Sequence, residues 1–349
     1  MANRQMLLAL NMKINSISLP TIECSQLAAT WLMVLLLLFT SAWPVVGKSK
    51  AVVFQQSMLS KPEGEFDVLV VPIKRAENLL LVEATVDSVT GNFILDTGAP
   101  YLVLNKTYFR KGKSKDGVSA GSVTGGFNAQ ITQTTVNRLS IQELFYKSMR
   151  ADLVSLGHIE DSKGVKVLGL LGTSLFNDLE MEIDVDKSVL YLYRLDKSGE
   201  RIKQNSATAA TKSDLQVPID MENNVIFIAA KVGENKLRYC LDTGAEINVL
   251  GNDVPKKVLE HFRLGSRNSL TGTNNQRVEV FGGELDELTI GSHTFTNSQT
   301  ILAGLAGLQA AYNTGIDGIL GFNFLAEGRV IINFRKKQLT MYFYNTKPQ

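Results

Sequence analysis

The chain is poor in the side chains that build metal and redox sites. Its 349 residues include two cysteines and three histidines, and His158, His261 and His293 are too scattered to show the spacing of metal ligands. Cys24 precedes a long apolar run, so Cys240 stands alone in the rest of the chain. A single thiol cannot form an internal disulfide. We therefore expect no metal, no cofactor and no disulfide, and we interpret Cys240 as a small buried hydrophobe.

An excess of charge of one sign is also missing. The 36 Lys and Arg residues nearly balance the 34 Asp and Glu residues, which leaves a net charge of +2. So small a charge predicts no nucleic-acid partner. With 44% apolar and 20% charged residues the composition is that of a globular protein, and the length suits two ordinary domains.

One long apolar run lies near the N-terminus. Residues Leu27–Phe39, LAATWLMVLLLLF, carry no charge and follow two basic residues. This pattern is typical of a signal peptide cleaved after Ala42 or Gly47, or of a retained membrane anchor. Three lysines on the C-terminal flank favour the cytoplasm for that side, against export. Within residues 1–47 the sequence predicts a signal peptide or an anchor. We expect a protein that is exported, periplasmic or extracellular, or tethered to the membrane and facing outside the cytoplasm.

The sequence contains an internal repeat. The 29 residues from Val71 align without a gap on those from Val217, at an offset of 146, and 11 of the 29 pairs are identical. The match resumes at an offset of 149, where LGLLG from Leu168 aligns with DGILG from Asp317. A surface hairpin would absorb the three-residue difference. Each repeat consists of short apolar or alternating runs separated by Gly, Asn and Asp, which predicts strands. We expect an all-β chain of two homologous lobes related by a pseudo-two-fold axis.

The repeat also sets the predicted boundaries. The N-terminal lobe covers residues 60–195 and the C-terminal lobe residues 214–349. Residues 196–213 are polar without periodicity and predict a linker. Helices are predicted at Asn252–Phe262 and Ile301–Tyr312. The acidic segment Ile183–Lys187 is interpreted as a hairpin turn, because its counterpart in the second repeat lacks the acids.

Each repeat carries the same Asp-Thr-Gly-Ala loop between two apolar strands. The first loop begins at Asp96 and the second at Asp242, and an apolar-apolar-Gly run follows 73 to 76 residues later in both repeats. An aspartate at the end of a buried strand is costly to place unless something uses it. A single copy would be explained by a tight turn. Two copies in the same context predict a pair of carboxylates, one from each lobe.

These motifs resemble the aspartic protease superfamily, in particular its retroviral-type, or retropepsin-like, branch. The resemblance covers about residues 68–344. Retroviral-type enzymes assemble two identical chains, whereas pepsin-like enzymes carry two lobes in one chain. This chain is similar to the first in motif and to the second in architecture, as are bacterial proteins of the aspartyl protease family. The resemblance implies two pepsin-like or retropepsin-like β-barrel lobes with the active site between them.

The resemblance also implies roles for the residues of both motifs. Asp96 and Asp242 would be catalytic, sharing one proton so that one carboxylate activates a water and the other donates to the peptide carbonyl. The threonines would hydrogen-bond across the two loops, and the glycines would adopt backbone conformations closed to other residues. The supporting loop residues are Thr97, Gly98, Ala99, Thr243, Gly244 and Ala245. An apolar floor beneath the loops would consist of Gly169, Leu170, Leu171, Gly172, Gly318, Ile319, Leu320 and Gly321.

Two glycine-rich segments are candidates for a flap over the cleft. Val118–Gln130 lies about 25 residues after Asp96, and its counterpart is Arg267–Val280. Hairpins of this kind commonly act as lids, and a plain surface loop is the alternative. Neither segment contains the flap tyrosine of pepsins. The flap residues would be Gly121, Ser122, Val123, Thr124, Gly125, Thr271, Gly272 and Thr273.

The sequence thus predicts an aspartic endopeptidase, a hydrolase acting on extended peptide or protein substrates. Both halves of the site lie in one chain, so we expect a monomer. The alternative is a catalytically inactive peptide-binding protein of the same fold. Loss of activity usually erodes one motif, and both motifs are intact here, which favours catalysis.

Overall fold

The computed structural model describes residues 61–110, 132–202, 212–271 and 277–344, all within one compact unit. The predicted signal peptide or anchor, residues 1–47, lies outside this range. So do the predicted flap residues 121–125, Gly272 and Thr273, while Thr271 is described in its backbone alone. Within the described ranges, no helix combines the length and apolarity needed to cross a bilayer.

Twenty strands among the described residues carry the fold. The first repeat contributes β1 (Val68–Ala76), β2 (Leu79–Val86), β3 (Val89–Asp96), β4 (Val103–Asn105), β5 (Thr132–Ile141), β6 (Leu144–Val154), β7 (Gly169–Gly172), β8 (Leu179–Asp184) and β9 (Val189–Arg194). The second repeat contributes β10 (Leu215–Pro218), β11 (Asp220–Glu222), β12 (Val225–Val232), β13 (Asn235–Leu241), β14 (Asn248–Gly251), β15 (Phe262–Thr271), β16 (Arg277–Ile290), β17 (His293–Ala303), β18 (Gly318–Leu320), β19 (Gly328–Asn333) and β20 (Gln338–Phe343). The helices are α1 (Gly157–Lys163), α2 (Lys256–Leu259), α3 (Ala306–Tyr312) and α4 (Phe322–Leu325).

Each repeat closes into a six-stranded barrel. The first follows the order β2-β3-β7-β4-β6-β5 and is closed by pairing of β5 with β2. The second follows β12-β13-β18-β14-β17-β16 and is closed by pairing of β16 with β12. Corresponding strands pair in the same sense, since β3 with β7 and β13 with β18 are both parallel. The predicted all-β fold of two homologous β-barrel lobes is therefore confirmed.

A third sheet joins the two barrels. Its strands run in the order β10-β20-β19-β8-β9-β1, and β8 of the first repeat pairs antiparallel with β19 of the second. All six residues of β8 are buried. One face of β8 is apolar, and on the other Glu182 pairs with Arg201 and with Arg329. Arg201 lies in the segment predicted as a linker, so residues 196–202 fold back onto this sheet. Residues 203–211 of the linker lie outside the described part.

The strands follow the periodicity of the sequence. In β1, Leu69, Val71 and Ile73 are buried while Val68 and Val70 are exposed, the alternation expected of a strand with one face on the core. The residues of β4 lie 146 positions before their counterparts in β14. The residues of β5 lie 149 positions before their counterparts in β16. The three-residue difference therefore falls between β4 and β5, before the strands that complete the barrel.

The helix predictions were partly wrong. Ile301–Ala303 belongs to β17, and the helix begins only at Ala306. A short apolar run does not distinguish a buried strand from a buried helix, which explains the error. In Asn252–Phe262 the helix is limited to α2, and α1 and α4 were not predicted. The hairpin turn was predicted correctly, since β8 ends at Asp184 and β9 begins at Val189.

Candidate active site

The two aspartates stand at the ends of corresponding buried strands. Asp96 is the last residue of β3 and lies beside Gly172 of the parallel strand β7. Asp242 directly follows β13, whose last residue lies beside Leu320 of β18. Each aspartate is only 5% exposed. The fold therefore brings the two predicted carboxylates together from opposite lobes at a nearly dry position.

The two carboxyl groups interact directly, and the pKa of each is raised. Burial, then the negative charge of Asp242, then the hydrogen bond between the two side chains raise the pKa of Asp96 well above its ordinary value. Burial also raises the pKa of Asp242, although the hydrogen bond from Asp96 lowers it. Two carboxylates in contact away from water cannot both ionise cheaply. The arrangement therefore favours a pair that shares one proton.

Backbone N–H groups stabilise the ionised forms. The Ala99 N–H donates to Asp96 Oδ1 at 2.9 Å, and the Gly244 N–H donates to Asp242 Oδ1 at 2.8 Å. The Gly98 N–H also faces both carboxyl groups and lowers the pKa of each. These donors offset part of the rise in pKa that burial causes at both aspartates.

The loop glycines are required for a different reason than the sequence indicated. Neither Gly98 nor Gly244 has a positive φ, so the prediction of a backbone conformation closed to other residues was wrong. A Cβ at Gly98 would lie 2.5 Å from Asp242 Cγ, and a Cβ at Gly244 would lie 2.8 Å from Asp96 Cγ. Each glycine is therefore needed because the carboxyl group of the opposite lobe occupies the space of a side chain.

The two threonines link the loops as expected. Thr97 Oγ1 donates to the Leu241 carbonyl at 2.8 Å and accepts from the Thr243 N–H at 3.0 Å. Thr243 Oγ1 donates to the Leu95 carbonyl at 2.7 Å and accepts from the Thr97 N–H at 3.0 Å. Both threonines are fully buried. Four reciprocal hydrogen bonds thus lock the lobes together directly behind the carboxyl pair.

The predicted floor lies against the loops. β7 and β18 are buried throughout, and a Cβ at Gly172 would lie 2.2 Å from the Tyr101 carbonyl oxygen. The residue after each floor segment donates its N–H to the loop alanine: Thr173 to the Ala99 carbonyl at 2.9 Å, and Phe322 to the Ala245 carbonyl at 2.8 Å. The floor therefore supports both loops with matching backbone contacts.

An ion pair between the lobes was not predicted from the sequence. The side chain of Lys163, at the end of α1, is fully buried, and its Nζ lies 2.7 Å from Oε1 and 2.9 Å from Oε2 of Glu246, just beyond the second loop. Glu77 is a second partner of Lys163. The Asn78 side chain donates to the Glu246 carbonyl at 3.1 Å. The N-terminal lobe thus holds the residue that follows the second loop.

A tyrosine makes the corresponding contact in the other direction. Tyr312, the last residue of α3, donates its hydroxyl to the Gly98 carbonyl of the first loop. Tyr312 and Lys163 occupy equivalent positions at the offset of 149, but their types differ, so comparison of the repeats could not reveal them. Asn78 could have been found, because it is identical to Asn224 of the second repeat.

A family model described as aspartyl protease matches residues 228–324. This range runs from β12 to α4 and includes Asp242 and β18. This part of the chain is therefore similar to the aspartyl protease family. The first lobe of the chain lies outside the matched range and repeats the same loop, floor and barrel order.

Comparison with known proteins adds one solved structure. The crystal structure of an aspartic proteinase from Irpex lacteus is similar with a TM-score of 0.47 and 14% sequence identity, over 80% of this chain and 98% of that chain. No curated protein sequence matches the chain.

Proposed function

We propose that the protein is an aspartic endopeptidase, with Asp96 and Asp242 as its catalytic pair. The observation that carries this proposal is the hydrogen-bonded contact of two buried carboxyl groups, one from each lobe, with raised pKa values and backbone donors aimed at both. General acid and base chemistry needs such a pair in opposite protonation states. The match of residues 228–324 to an aspartyl protease family model supports a protease-type function.

We assign Asp242 as the base and Asp96 as the acid, because the hydrogen bond between them raises the pKa of Asp96 and lowers that of Asp242. Asp242, the ionised member, takes a proton from a water as the water oxygen bonds to the peptide carbonyl carbon. Asp96, the protonated member, donates its proton to the carbonyl oxygen, which gives a neutral tetrahedral intermediate. The C–N bond then breaks as the proton on Asp242 passes to the leaving nitrogen and a hydroxyl proton of the intermediate returns to Asp96. No bond forms between substrate and enzyme, and the pair ends in its starting state.

The substrate of this proposal is an extended peptide. Edges of a sheet recognise extended chains through backbone hydrogen bonds, and alternate side chains enter pockets on either side. Of the two proposed flap segments, Val118–Gln130 lies outside the described residues, and Arg267–Val280 is described only at residues 267–271 and 277–280. A peptide-binding protein without catalysis remains the competing function, and the experiment below separates the two.

The proposed place of action is outside the cytoplasm. This proposal rests on the uncharged run Leu27–Phe39 alone, which is typical of a signal peptide or an anchor. Fractionation of cells expressing the full chain, with protease accessibility of the lobes, tests it.

The test of the proposed function is incubation of the purified chain with a peptide library, followed by mass spectrometry of the products. We expect cleavage at internal bonds that stops with an inhibitor mimicking the tetrahedral intermediate and persists with a metal chelator or a thiol-alkylating reagent. Retention of peptides without any products would instead establish the peptide-binding function.

A further inference from the structure

Tyr312 is a buried residue that contacts the first loop from the opposite lobe. Its side chain is 2% exposed, and its hydroxyl donates to the Gly98 carbonyl. A buried tyrosine hydroxyl is expensive to place without a partner, so this hydrogen bond fixes both groups. The contact lies one peptide unit away from the proposed catalytic pair.

The hydrogen bond reaches Asp96 through a single rigid unit. The Gly98 carbonyl and the Ala99 N–H belong to the same planar peptide group. The carbonyl accepts from Tyr312, and the N–H donates to Asp96 Oδ1 at 2.9 Å. Holding one end of the plane sets the direction of the other end. Hydrogen bonds linked in this way also polarise one another, which strengthens the donor at Asp96.

The hydrogen bond from a helix residue to a loop carbonyl is present at the first loop, and an ion pair replaces it at the second loop. The position equivalent to Tyr312 in the first repeat is Lys163, which binds the Glu246 carboxylate instead of a loop carbonyl. The two lobes therefore treat the two carboxyl groups differently, although their loops share one sequence. Tyr312 acts on the loop that carries Asp96.

We propose that Tyr312 is a positioning residue of the catalytic site, which orients the Gly98–Ala99 peptide so that its N–H group stabilises ionised Asp96. This inference rests on the proposed function for its kinetic consequences. Tyr312 itself touches neither substrate nor the reacting atoms in this account. Its role is to set the position and acidity of Asp96 through the peptide.

The groups around Asp96 make the pH profile a clean readout. Asp96 faces Asp242, and Cys240 and Tyr312 lie close enough to both aspartates to be affected by their charges. Burial raises the pKa of the Cys240 thiol and of the Tyr312 hydroxyl well above their ordinary values, so both stay neutral in the working range. Arg238 also acts on the Cys240 thiol and lowers its pKa, against the effect of burial. Among these groups, a profile between acidic and neutral pH reports the aspartate pair.

The variant that tests the proposal is Tyr312→Phe, which removes the hydroxyl and keeps the ring. Tyr239→Phe is the matched control, because Tyr239 lies in the same lobe, is 1% exposed, and its hydroxyl has no hydrogen-bond partner among the described residues. Both variants are measured as full chains on one peptide, with kcat and KM determined across the pH range.

For Tyr312→Phe we expect kcat to fall about 3- to 10-fold, the effect of one hydrogen bond, while KM changes by less than about twofold. Without a firmly held N–H donor, Asp96 keeps its proton to higher pH, so the alkaline limb of the profile moves up by about half a pH unit. The control should leave kcat and both limbs unchanged. A lower kcat with an unmoved profile, or equal effects of the two variants, would overturn the positioning role.

A second measurement separates this inference from the proposed function. The carboxyl 13C resonance of Asp96, followed by NMR as a function of pH, gives its titration without any substrate. We expect its midpoint to be higher in Tyr312→Phe than in the wild type or the control. If the wild type cleaves nothing but this shift is seen, the proposed function fails and the positioning role stands. If the wild type cleaves and the midpoint does not move, the reverse holds.

Discussion

Replacing Lys163 by methionine removes the cation of the buried ion pair between the lobes. The Lys163 side chain is 0% exposed and that of Glu246 is 2% exposed, so the carboxylate left behind cannot be solvated. Breaking such a pair costs about 3–5 kcal/mol of unfolding free energy. We expect about 3 kcal/mol, the lower end, because burial already raises the pKa of Glu246 and lets it become neutral.

The pH dependence of this loss follows from the same carboxyl group. Burial without a cation raises the folded-state pKa of Glu246 further above its unfolded value. A carboxyl group with a raised folded pKa destabilises the fold more as pH rises past the unfolded value, and less below it. The difference between Lys163→Met and the wild type should therefore be largest near pH 7 and shrink toward pH 4.

Urea unfolding followed by fluorescence measures the effect. The matched control is Lys74→Met, since the Lys74–Glu83 pair is 56% and 59% exposed and should contribute about 0–1 kcal/mol. Adding Glu246→Gln to Lys163→Met should recover much of the loss, because no buried charge is then left unpaired. If Lys163→Met cost no more than the surface control, or if Glu246→Gln gave no recovery, the reasoning would be refuted.

Four further predictions concern the carboxyl pair and the assembly. Gly98→Ala places a methyl group 2.5 Å from Asp242 Cγ and should lower kcat by at least about 100-fold. The control is Gly157→Ala, whose methyl group would meet nothing within 4 Å and should leave kcat unchanged. Replacing Ala99 and Ala245 together by serine adds hydroxyl donors that favour ionised carboxylates. The acid limb of the plot of kcat/KM against pH should therefore move to lower pH. An unmoved acid limb would show that another group sets the pKa of the aspartate pair. The wild-type bell should centre on mildly acidic pH. Because both aspartates lie in one chain, specific activity should be constant on dilution, and a steep fall with a dimer in sedimentation would contradict this.

The repeat made most of the architecture predictable. Two copies of one motif imply two lobes and a site on the axis, and Thr97 and Thr243 were placed correctly because the hydrogen bonds join equivalent loops. The reason for Gly98 could not be read in the same way. A glycine before alanine in a tight loop suggests backbone strain, whereas the structure shows that the space belongs to Asp242, a residue far away in sequence.

The contacts that differ between the lobes were not predictable. Lys163 and Tyr312 occupy equivalent helix positions, but one carries a charge and the other a phenol, and each reaches a different group. Neither helix end has a sequence signal for a partner in the opposite lobe. A repeat reveals what two halves share, and these two contacts belong to what they do not share.

The central claim is that two carboxyl groups from opposite lobes carry out one hydrolysis. Its most direct test is kcat/KM for Asp96→Asn and Asp242→Asn on one peptide, with Asp87→Asn in a surface turn as the control. The account predicts that each active-site variant loses activity by at least about 1,000-fold while circular dichroism stays unchanged, because a neutral amide can replace neither the base nor the acid. Near-normal turnover in either variant would contradict the paired-carboxylate mechanism.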